Sequence, residues 1–260
     1  MKRAKPGYPW RLGAPSFVLP ADIAANVEKL APLVDDVQLL FFESADRTLL
    51  TQPLDLEFLR QCAEAWQLSF TVHLPLDIRL GHPEKSERTR GLAEIARLVE
   101  ELTPLSPRCF DLHLVRETGI AAEQWQENLA VSLAELAGDL GERKGLIGVE
   151  NIDYPLALVA PLVAEHGFSF CLDLGHFLHY GHGLEQVPGL LGKTGHVHCH
   201  GVDNGQDHQA LHDREQAGRL GQWLAAAGYQ GVVTLEMYSL EKLSASLELL
   251  AEVWETHRLP

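Results

Sequence analysis

The sequence has few basic residues and few cysteines, and it contains no long uncharged hydrophobic run. Lys and Arg together number 21 against 36 Asp and Glu, which gives a formal net charge of -15. A chain of this charge repels polyanions, so nucleic-acid binding is not expected. Because no long apolar run is present, no segment is expected to span a membrane.

The four cysteines are scattered along the chain, at Cys62, Cys109, Cys171 and Cys199. None of them forms a Cys-x-x-Cys pair, which excludes a zinc site built on paired thiolates. Isolated thiols are typical of a reducing compartment. The basic N-terminal segment is not followed by an apolar stretch, so we expect no signal peptide and a cytoplasmic location.

The length and apolar content suit one large α/β domain. The chain has 260 residues, 46% of them hydrophobic, and no linker or low-complexity segment divides it. Short β-like runs alternate with amphipathic stretches in which apolar residues recur every three or four positions. Roughly eight β–α units of about 32 residues each are typical of a (β/α)8 TIM barrel. We therefore predict a single α/β barrel domain over residues 1–260.

Alternation within the β-like runs favours a barrel over an open sheet. In the run FTVHL, Phe70 and Val72 share one face, while Thr71 and His73 share the other. The runs at 109–114, 169–174 and 232–237 show the same division between a bulky apolar face and a smaller face carrying an ionisable residue. An open sheet covered on both sides would more often be apolar on both faces. In a barrel the ionisable strand ends meet at the C-terminal mouth.

Histidines and carboxylates end most of these runs, and together they predict a metal site. The residues at strand ends or in the following loops are Glu43, His73, His113, Glu150, Asp173, His176, His196, His198, His200, Asp207, His208 and Glu236. So many ionisable groups are tolerated in one cavity only when something neutralises them, as a divalent ion does. Mixed His, Asp and Glu ligands suit zinc, manganese or iron.

Each of these residues taken alone has a structural explanation. A single strand-end histidine more often makes a structural hydrogen bond than a metal bond. Asp173 could cap a turn, and Glu43 could pair with Arg47. Asp111 lies deeper than His113 and could orient that imidazole. A structural role for the whole set would need a separate coincidence at each strand, so we favour the metal site.

At these residues the sequence resembles the xylose-isomerase-like TIM barrels, especially their endonuclease-IV-type branch. The matching elements occur in order from the third strand to the eighth: VHLP, DLHL, VEN, LDLGH, HVHCHG, a downstream DH pair and TLE. The ordered series extends over nearly the whole chain. It implies a divalent-metal enzyme with its site at the mouth of the barrel.

The resemblance implies one to three divalent ions, with zinc or manganese expected. The first ion would be held by His73, His113 and Glu150, and the second by Glu150 as a bridge together with Asp173, His198 and Glu236. A third would use His176, Asp207 and His208. The family's nucleases separate that Asp and His by one residue, whereas Asp207 and His208 are adjacent here. His200 could therefore replace a ligand, or contact the substrate instead.

Five longer segments resemble one subfamily, the cobamide-remodelling phosphodiesterases (CbiR). They are LAPLVDDVQLLFFES at 30–44, FTVHLPLDIRLG at 70–81, VENIDYP at 149–155, CLDLGHFLHYG at 171–181 and HVHCHGVDNGQDH at 196–208. The resemblance implies hydrolysis of the nucleotide-loop phosphodiester of a cobamide to cobinamide phosphate and an α-riboside. The chain has no Asp-x-His-x-x-Gly cobalamin-binding signature, so corrinoid recognition rests on the resemblance alone.

Phosphodiester hydrolysis gives the predicted residues defined roles. Two divalent ions about 3.5–4 Å apart can bind the phosphate oxygens, activate water and stabilise the leaving oxygen. Glu150 is the expected bridging ligand, Glu236 a ligand or general base, and His176 a further catalytic residue. The residues predicted to contact the substrate are Glu43, Arg79, Arg116 and Tyr180. Each arginine could equally be an ordinary surface residue.

Three other functions remain open from the sequence. A sugar or sugar-phosphate isomerase or epimerase would use two Glu, an Asp and a His around one metal, and the additional histidines argue against it. An abasic-site DNA endonuclease is compatible with the ligands but not with the net charge of -15. A barrel that binds a corrinoid or sugar without catalysis is the least expected. The oligomeric state is left open.

Overall fold

The computed structural model describes residues 7–44 and 54–257, in which eight parallel strands close into a barrel. These eight strands, together with two further ones, are β1 (Arg11–Pro15), β2 (Asp36–Leu40), β3 (Ser69–His73), β4 (Phe110–Leu112), β5 (Ile147–Glu150), β6 (Ser169–Asp173), β7 (Thr194–Cys199), β8 (Gly201–Asp203), β9 (Gln206–Gln209) and β10 (Val232–Leu235). Strands β1 to β7 follow one another around the barrel, and β10 pairs with both β7 and β1 to close it. Strands β8 and β9 form a separate antiparallel hairpin. The predicted (β/α)8 barrel is confirmed.

Helices follow most of the barrel strands, and the longer ones pack against the outside of the sheet. They are α1 (Ile23–Leu30), α2 (Leu56–Trp66), α3 (Lys85–Leu102), α4 (Ala122–Leu140), α5 (Ala160–His166), α6 (Leu174–His179), α7 (Val187–Leu190), α8 (Arg214–Ala226) and α9 (Leu240–His257). Aspartates begin several of them: Asp22 caps α1 and Asp213 caps α8 by accepting backbone N–H bonds. Within the described ranges, no helix combines the length and apolarity that crossing a membrane requires.

Alternation along the strands separates an apolar outer layer from a polar interior. Phe70 and Val72 of β3 are buried in the core between strands and helices. Gln38 of β2 bonds to Asp111 of β4 and lies against His198 of β7, and these strands are not neighbours in the sheet. Such contacts are possible only across the inside of the barrel. The interior of this barrel is therefore polar, whereas branched apolar side chains fill the interior of most TIM barrels.

Contacts outside the barrel fasten the loops after β3 and β4 to helix α4. Trp125 of α4 is fully buried, and its indole N–H donates to the carbonyl oxygen of Val115 at 3.0 Å. A Cβ at Gly81 would lie 2.2 Å from the Trp125 ring, so a larger residue at that position would displace the indole. The side chain of Ser132, also on α4, donates to the carbonyl oxygen of Leu80 at 2.8 Å. Helix α4 thus holds the loop that leaves the mouth of the barrel at β3.

We predict that Trp125→Ala lowers the free energy of unfolding by about 3–5 kcal/mol, because it leaves a cavity in place of a buried ring. Val131→Ala is the matched control, since Val131 lies on the same helix but is 60% exposed. The control should change the stability by less than about 0.5 kcal/mol. Urea denaturation measures both variants, and equal destabilisation would contradict this description of the core.

Candidate metal centre

Six of the predicted ligands come from strands that are neighbours around the barrel, and these six meet at one mouth. They are His73 of β3, His113 after β4, Glu150 of β5, Asp173 of β6, His198 of β7 and Glu236 after β10. Each stands at or near the C-terminal end of its strand, and parallel strands direct all of those ends the same way. The barrel thereby brings together residues that are as far as 163 positions apart in the sequence, from residue 73 to residue 236.

His73, His113 and Glu150 form the first group of candidate ligands. Nε2 of His73 lies 3.5 Å from Oε2 of Glu150, and Nε2 of His113 lies 3.2 Å from the same oxygen. Nδ1 of His73 is 2.8 Å from the carbonyl oxygen of Leu74, a bond in which the ring N–H donates. That bond leaves Nε2 of His73 as the nitrogen available to a metal ion.

Glu150 also belongs to a second group, with Asp173, His198 and Glu236. Nδ1 of His198 lies 3.1 Å from Oε2 of Glu236 and 3.4 Å from Oε2 of Glu150. It lies 3.9 Å from Oδ2 of Asp173. Ligand atoms around a tetrahedral zinc ion with bonds of ~2.1 Å are roughly 3.4 Å apart. The group has the spacing of a metal site, and Glu150 stands between it and the first group.

A third group consists of Asp173, His176, His200 and His208. Nε2 of His200 lies 3.3 Å from Oδ1 of Asp173, and Nδ1 of His176 lies 3.5 Å from Oδ2. Asp207 is not part of this group, and its carboxylate lies 3.2 Å from Nδ1 of His208 instead. Asp207 and His208 are successive residues of β9, so they leave the strand in opposite directions. Asp207, predicted as a ligand, thus lies outside this group, and His200 belongs to it.

The hairpin of β8 and β9 delivers His208 to the mouth. Its turn uses Asn204 and Gly205, whose φ angles of 50° and 73° are those of a tight hairpin turn. His208 itself has a φ of 49°, which is uncommon for a residue with a side chain. Its ring stacks between His200, at 4.2 Å, and Tyr238, at 4.8 Å. The two stacked rings stabilise the strained backbone and hold His208 over the site.

The candidate ligand atoms are buried and lack hydrogen bonds, as expected of atoms that bind metal ions. Glu150, Asp173, His198 and Glu236 are each 2% exposed or less. Within the described part of the chain, the atoms without a partner include both carboxylate oxygens of Glu150, Oδ2 of Asp173, Oε2 of Glu236, Nδ1 of His198, and Nε2 of His113 and His200. Leaving such atoms buried and unpaired is costly. Divalent ions would satisfy them together, so the residues fit the metal that the donor set implies.

Opposite charges keep the carboxylates ionised in the ion-free protein. Burial by itself raises the pKa of Asp173, but the surrounding histidines, His176 first, lower it to about 2. Burial likewise opposes ionisation of Glu150, but His113 and other histidines hold its pKa well below the usual range. In the other direction, burial lowers the pKa of His176, but Asp173 and Glu150 raise it to about 10. A proton therefore competes with a metal ion for the His176 imidazole.

Asn151 ties the ends of β5 and β6 together beside the ligands. Its side-chain amide donates to the carbonyl oxygen of Asp173, and its Oδ1 accepts the N–H of Asp173, both at 2.8 Å. Oδ1 of Asp173 in turn accepts the N–H of His176 at 2.9 Å and caps α6. The cap expected for Asp173 is present, and it leaves Oδ2 free for a metal ion. The bridging role of Asn151 is not indicated by any sequence pattern, although the residue lies in the VEN motif.

The two arginines predicted to bind phosphate are engaged elsewhere. Arg79 forms an ion pair with Glu117, and Arg116 donates to the carbonyl oxygen of Ile120 at 3.1 Å. Among the described residues, neither arginine bonds to a candidate ligand. An ion-paired guanidinium would first have to leave Glu117 before it could bind phosphate, so the structure does not support Arg79 as a preformed phosphate site.

The other two predicted substrate residues lie closer to solvent. Tyr180 ends α6, is 41% exposed, and has its ring 5.7 Å from that of His176. Glu43 is exposed in the loop after β2, and its expected partner Arg47 lies outside the described residues. Tyr180 is thus placed where a substrate could meet the third group. Its role, like that of Glu43, stays a prediction.

Asp111, expected beside His113, makes different contacts. Its Oδ2 lies 2.7 Å from Nδ1 of His196 and 3.4 Å from Nε2 of His198. Asp111 and His113 are two residues apart on the same face, so the carboxylate lies deeper in the barrel and reaches across it rather than along its own strand. The imidazoles that face Asp111 are therefore those of His196 and His198, not that of His113.

We predict that Glu150→Gln lowers the number of ions bound per chain, because it removes the one carboxylate shared by the first two groups. Elemental analysis after loading with zinc and desalting measures the content. Glu43→Gln removes an exposed carboxylate near the same mouth and is the control, which should bind as much zinc as the wild type. An unchanged zinc content in Glu150→Gln would rule out the bridging position.

Metal uptake should release protons and weaken as the pH falls. Because the pKa of His176 is about 10 in the ion-free protein, this ring carries a proton at neutral pH that a bound ion must displace. Isothermal titration calorimetry of zinc at pH 7 in two buffers of different ionisation enthalpy counts the released protons. The same apparent enthalpy in both buffers would contradict the protonated ion-free site.

Comparisons with known proteins identify the family. Residues 27–253 match the family model described as xylose isomerase-like TIM barrel. Similar solved structures include a D-tagatose 3-epimerase-like protein, with 20% identity over 95% of this chain and 98% of that chain and a TM-score of 0.78. Another is 3-keto-D-glucoside 4-epimerase (YcjR) from E. coli, with 18% identity over 95% and 99% of the two chains and a TM-score of 0.74. The IolI protein with a bound zinc atom has 14% identity over 95% and 96% and a TM-score of 0.72.

These identities are low enough that the solved structures show a shared fold and nothing further. A search of curated protein sequences gives no match. The family model, in contrast, covers most of the chain, from the first helix to the last. The chain belongs to the xylose isomerase-like TIM barrel family.

Proposed function

We propose that this protein is a metal-dependent hydrolase that cleaves a phosphodiester. The observation that carries the proposal is the first ligand group beside the second: His73 and His113 face the same oxygen of Glu150 that faces His198. Two ions sharing a carboxylate are a recurrent device for phosphoester hydrolysis. A proton or hydride shift on a sugar around one ion has no use for the two additional imidazoles.

Divalent ions, when bound, would supply positive charge and Lewis acidity to the phosphodiester. Glu150 would hold them at a fixed separation, because its carboxylate faces both groups. Glu236 is anchored by the hydroxyl of Tyr238, which donates to Oε1 at 3.2 Å. That bond leaves Oε2 turned toward His198 and available either as a ligand or as a general base. One oxygen of the Glu236 carboxylate is thus fixed by a hydrogen bond, and the other is free to bind an ion or accept a proton.

His176 is placed to move a proton at the edge of the site. Its Nδ1 lies 3.0 Å from the carbonyl oxygen of Asn151 and 3.3 Å from Oε1 of Glu150. The ring is only slightly exposed, at 6%, on the side of the mouth where Tyr180 stands. When no ion occupies the third group, a proton held there could be transferred to a leaving oxygen, which is the contribution expected of a general acid.

The mouth also offers an aromatic wall, formed by Phe17, Phe42 and Tyr238. Phe17 follows β1 and Phe42 follows β2, the two barrel strands that supply no member of the three ligand groups among the described residues. The rings of Phe17 and Phe42 are 4.9 Å apart, and Tyr238 lies 6.3–6.5 Å from both. Such a wall suits a substrate with a large flat or apolar part beside the phosphate. A cobamide, the substrate that the sequence resemblance implies, has that character.

A sugar epimerase is the second candidate, and the structural comparisons favour it. The similar structures include a D-tagatose 3-epimerase-like protein, a 3-keto-D-glucoside 4-epimerase and an L-ribulose 3-epimerase. The group of Glu150, Asp173, His198 and Glu236 could hold a single ion for such a reaction. Fold alone does not determine the reaction, and His73 and His113 at the ends of β3 and β4 favour hydrolysis.

The leading proposal predicts that zinc- or manganese-loaded protein converts a complete cobamide to cobinamide phosphate and an α-riboside. Mass spectrometry of the reaction detects both products, and a chelator should stop their release until the ion is restored. Intact cobamide with every metal tried would overturn this substrate. Epimerisation of a ketohexose by protein with one ion per chain would then establish the second candidate.

His73→Ala separates the two reactions, whichever phosphodiester or sugar is the natural substrate. It should lower hydrolysis of a phosphodiester by more than about 100-fold, since even partners of a metal ligand contribute roughly 10–100-fold. One ion should be lost while the second group keeps another. An epimerase that uses only the second group would lose little turnover. Hydrolysis at the wild-type rate in His73→Ala would contradict the two-ion proposal.

A further inference from the structure

A second polar layer lies inside the barrel directly below the candidate ligands. This lower layer consists of Gln38 of β2, Asp111 of β4, Cys171 of β6, His196 of β7 and Thr234 of β10, all of them 0% exposed. Polar groups buried so completely destabilise a protein unless they satisfy one another. The proposed reaction does not use any of them, so their arrangement calls for another explanation.

Asp111 is the centre of the lower layer. Its Oδ2 accepts a hydrogen bond from the amide of Gln38 at 3.1 Å and lies 2.7 Å from Nδ1 of His196. Nε2 of His196 is in turn 2.7 Å from Oγ1 of Thr234. Both ring nitrogens of His196 are therefore engaged, and the carboxylate of Asp111 is held from two sides. A buried carboxylate held this firmly can act as a fixed acceptor.

Gly148 of β5 provides the space that Asp111 occupies. The two residues are paired in register on neighbouring strands. A Cβ at residue 148 would lie 3.3 Å from Oδ1 of Asp111 and 2.8 Å from Sγ of Cys109. A side chain there would push the carboxylate away from its partners. A glycine inside a strand often marks such a close approach.

His198 connects the lower layer with the ligands above it. Its Nδ1 faces Oε2 of Glu236 at 3.1 Å, in the second ligand group. Its Nε2 faces downward, 2.8 Å from the amide nitrogen of Gln38 and 3.4 Å from Oδ2 of Asp111. A neutral imidazole carries one proton, so a ring that binds a metal ion through Nδ1 must carry that proton on Nε2. Nε2–H then needs an acceptor in the lower layer.

Asp111 is the carboxylate within reach of that N–H, and Gln38 can adapt to it. The amide nitrogen of Gln38 faces Nε2 of His198, while its Oε1 has no hydrogen-bond partner within the described residues. Turning the amide by half a turn would offer Oε1 to the same nitrogen and would break the hydrogen bond that the amide donates to Asp111. The lower layer thus contains two alternative acceptors for His198 once a metal ion occupies the upper side: the carboxylate of Asp111, or the amide oxygen of Gln38 when it has turned away from Asp111.

We propose that Asp111, held by His196 and assisted by Gln38, is a positioning residue that fixes His198 in the tautomer whose Nδ1 is free for the metal ion. Partners of this kind orient a ligating histidine and raise its basicity. The inference rests on the proposed function to the extent that His198 must be a metal ligand. It is independent of which bond the loaded protein cleaves.

An alternative is that the lower layer itself binds a metal ion. Asp111, Cys171, His196 and His198 carry donor atoms close enough together to do so. The atoms of Asp111 and His196 that such an ion would need are already hydrogen-bonded to each other and to neighbouring side chains. We therefore assign these side chains a positioning role. The number of zinc ions bound per chain tests this assignment.

Nitrogen-15 NMR of the histidine rings in wild-type protein gives the first test and needs no variant. In the zinc-loaded protein, the ring of His198 should carry its proton on Nε2 and bind zinc through Nδ1. A zinc-loaded protein with the His198 proton on Nδ1 would overturn the inference. The full-length chain is used, with His198→Gln to assign its signals.

The second test moves the carboxylate to a new position. Asp111→Asn should weaken zinc binding by about 10–100-fold in a competition titration with a chromophoric chelator. Adding Gln38→Glu to Asp111→Asn returns a carboxylate to within reach of Nε2 of His198 and should restore much of the affinity. A merely structural defect would not be repaired in this way, so absence of recovery in a folded double variant would overturn the inference.

Asp36→Asn is the matched control, because Asp36 is an equally buried carboxylate inside the same barrel. It accepts hydrogen bonds from Thr71 and Ser69 and makes none with a candidate ligand. It should lower the thermal stability without changing zinc affinity. Equal losses of affinity in Asp36→Asn and Asp111→Asn would show a general structural effect and overturn the inference.

The two proposals fail differently in these experiments. If wild-type protein binds no zinc, the metal centre and with it the proposed function fail. If it binds zinc with the expected proton position but hydrolyses no phosphodiester, only the proposed function fails. A further zinc equivalent that disappears in Asp111→Asn, while the others keep their affinity, would assign the lower layer to an ion of its own and overturn the positioning role.

Discussion

The burial of several carboxylates at one mouth is the constraint on which the site depends. Glu150, Asp173 and Glu236 are almost fully withdrawn from water, and their negative charges would repel one another in a medium of low polarity. Without metal ions, protonated His176 offsets part of this repulsion. Metal ions would offset the repulsion between the carboxylates more fully, since they would also bind the oxygens and nitrogens that lack hydrogen bonds.

The barrel meets this constraint because the two faces of its sheet carry different kinds of side chain. The outer face of the sheet is packed with apolar side chains under the helices, which supplies the hydrophobic stabilisation that a polar interior lacks. The inside is then free to hold two polar layers, the candidate ligands at the mouth and the layer around Asp111 beneath them. Gly148 contributes to this arrangement by leaving room inside the sheet rather than by any contact of its own.

The family and the reaction are decided by different parts of the molecule. Eight parallel strands with helices around them place this chain among the xylose isomerase-like barrels, and the same architecture occurs in epimerases of very different sequence. Residues at the ends of individual strands determine which ions and which chemistry a barrel supports. In this chain His73 and His113 enlarge the candidate ligand set beyond what one ion needs, and our proposal of hydrolysis rests on that enlargement.

The sequence by itself determined the barrel and the strand ends at which the ligands lie. Strand periodicity is a local property: alternate residues such as Thr71 and His73 must share a face wherever the strand goes. Parallel strands then deliver their ends to a common mouth. The turn residues Asn204 and Gly205 also carry a local hairpin signal, from which β8 and β9 could have been predicted.

Only the tertiary structure decided which side chains face one another. It placed His200 rather than Asp207 in the third group, turned Asp111 toward His196 and His198 rather than His113, and paired Arg79 with Glu117. These contacts depend on how far the strands are staggered when the barrel closes and on the side-chain rotamers that fit there. The strand stagger and the rotamers are both set by packing between residues that are distant in the chain. A local sequence pattern carries no information about such packing.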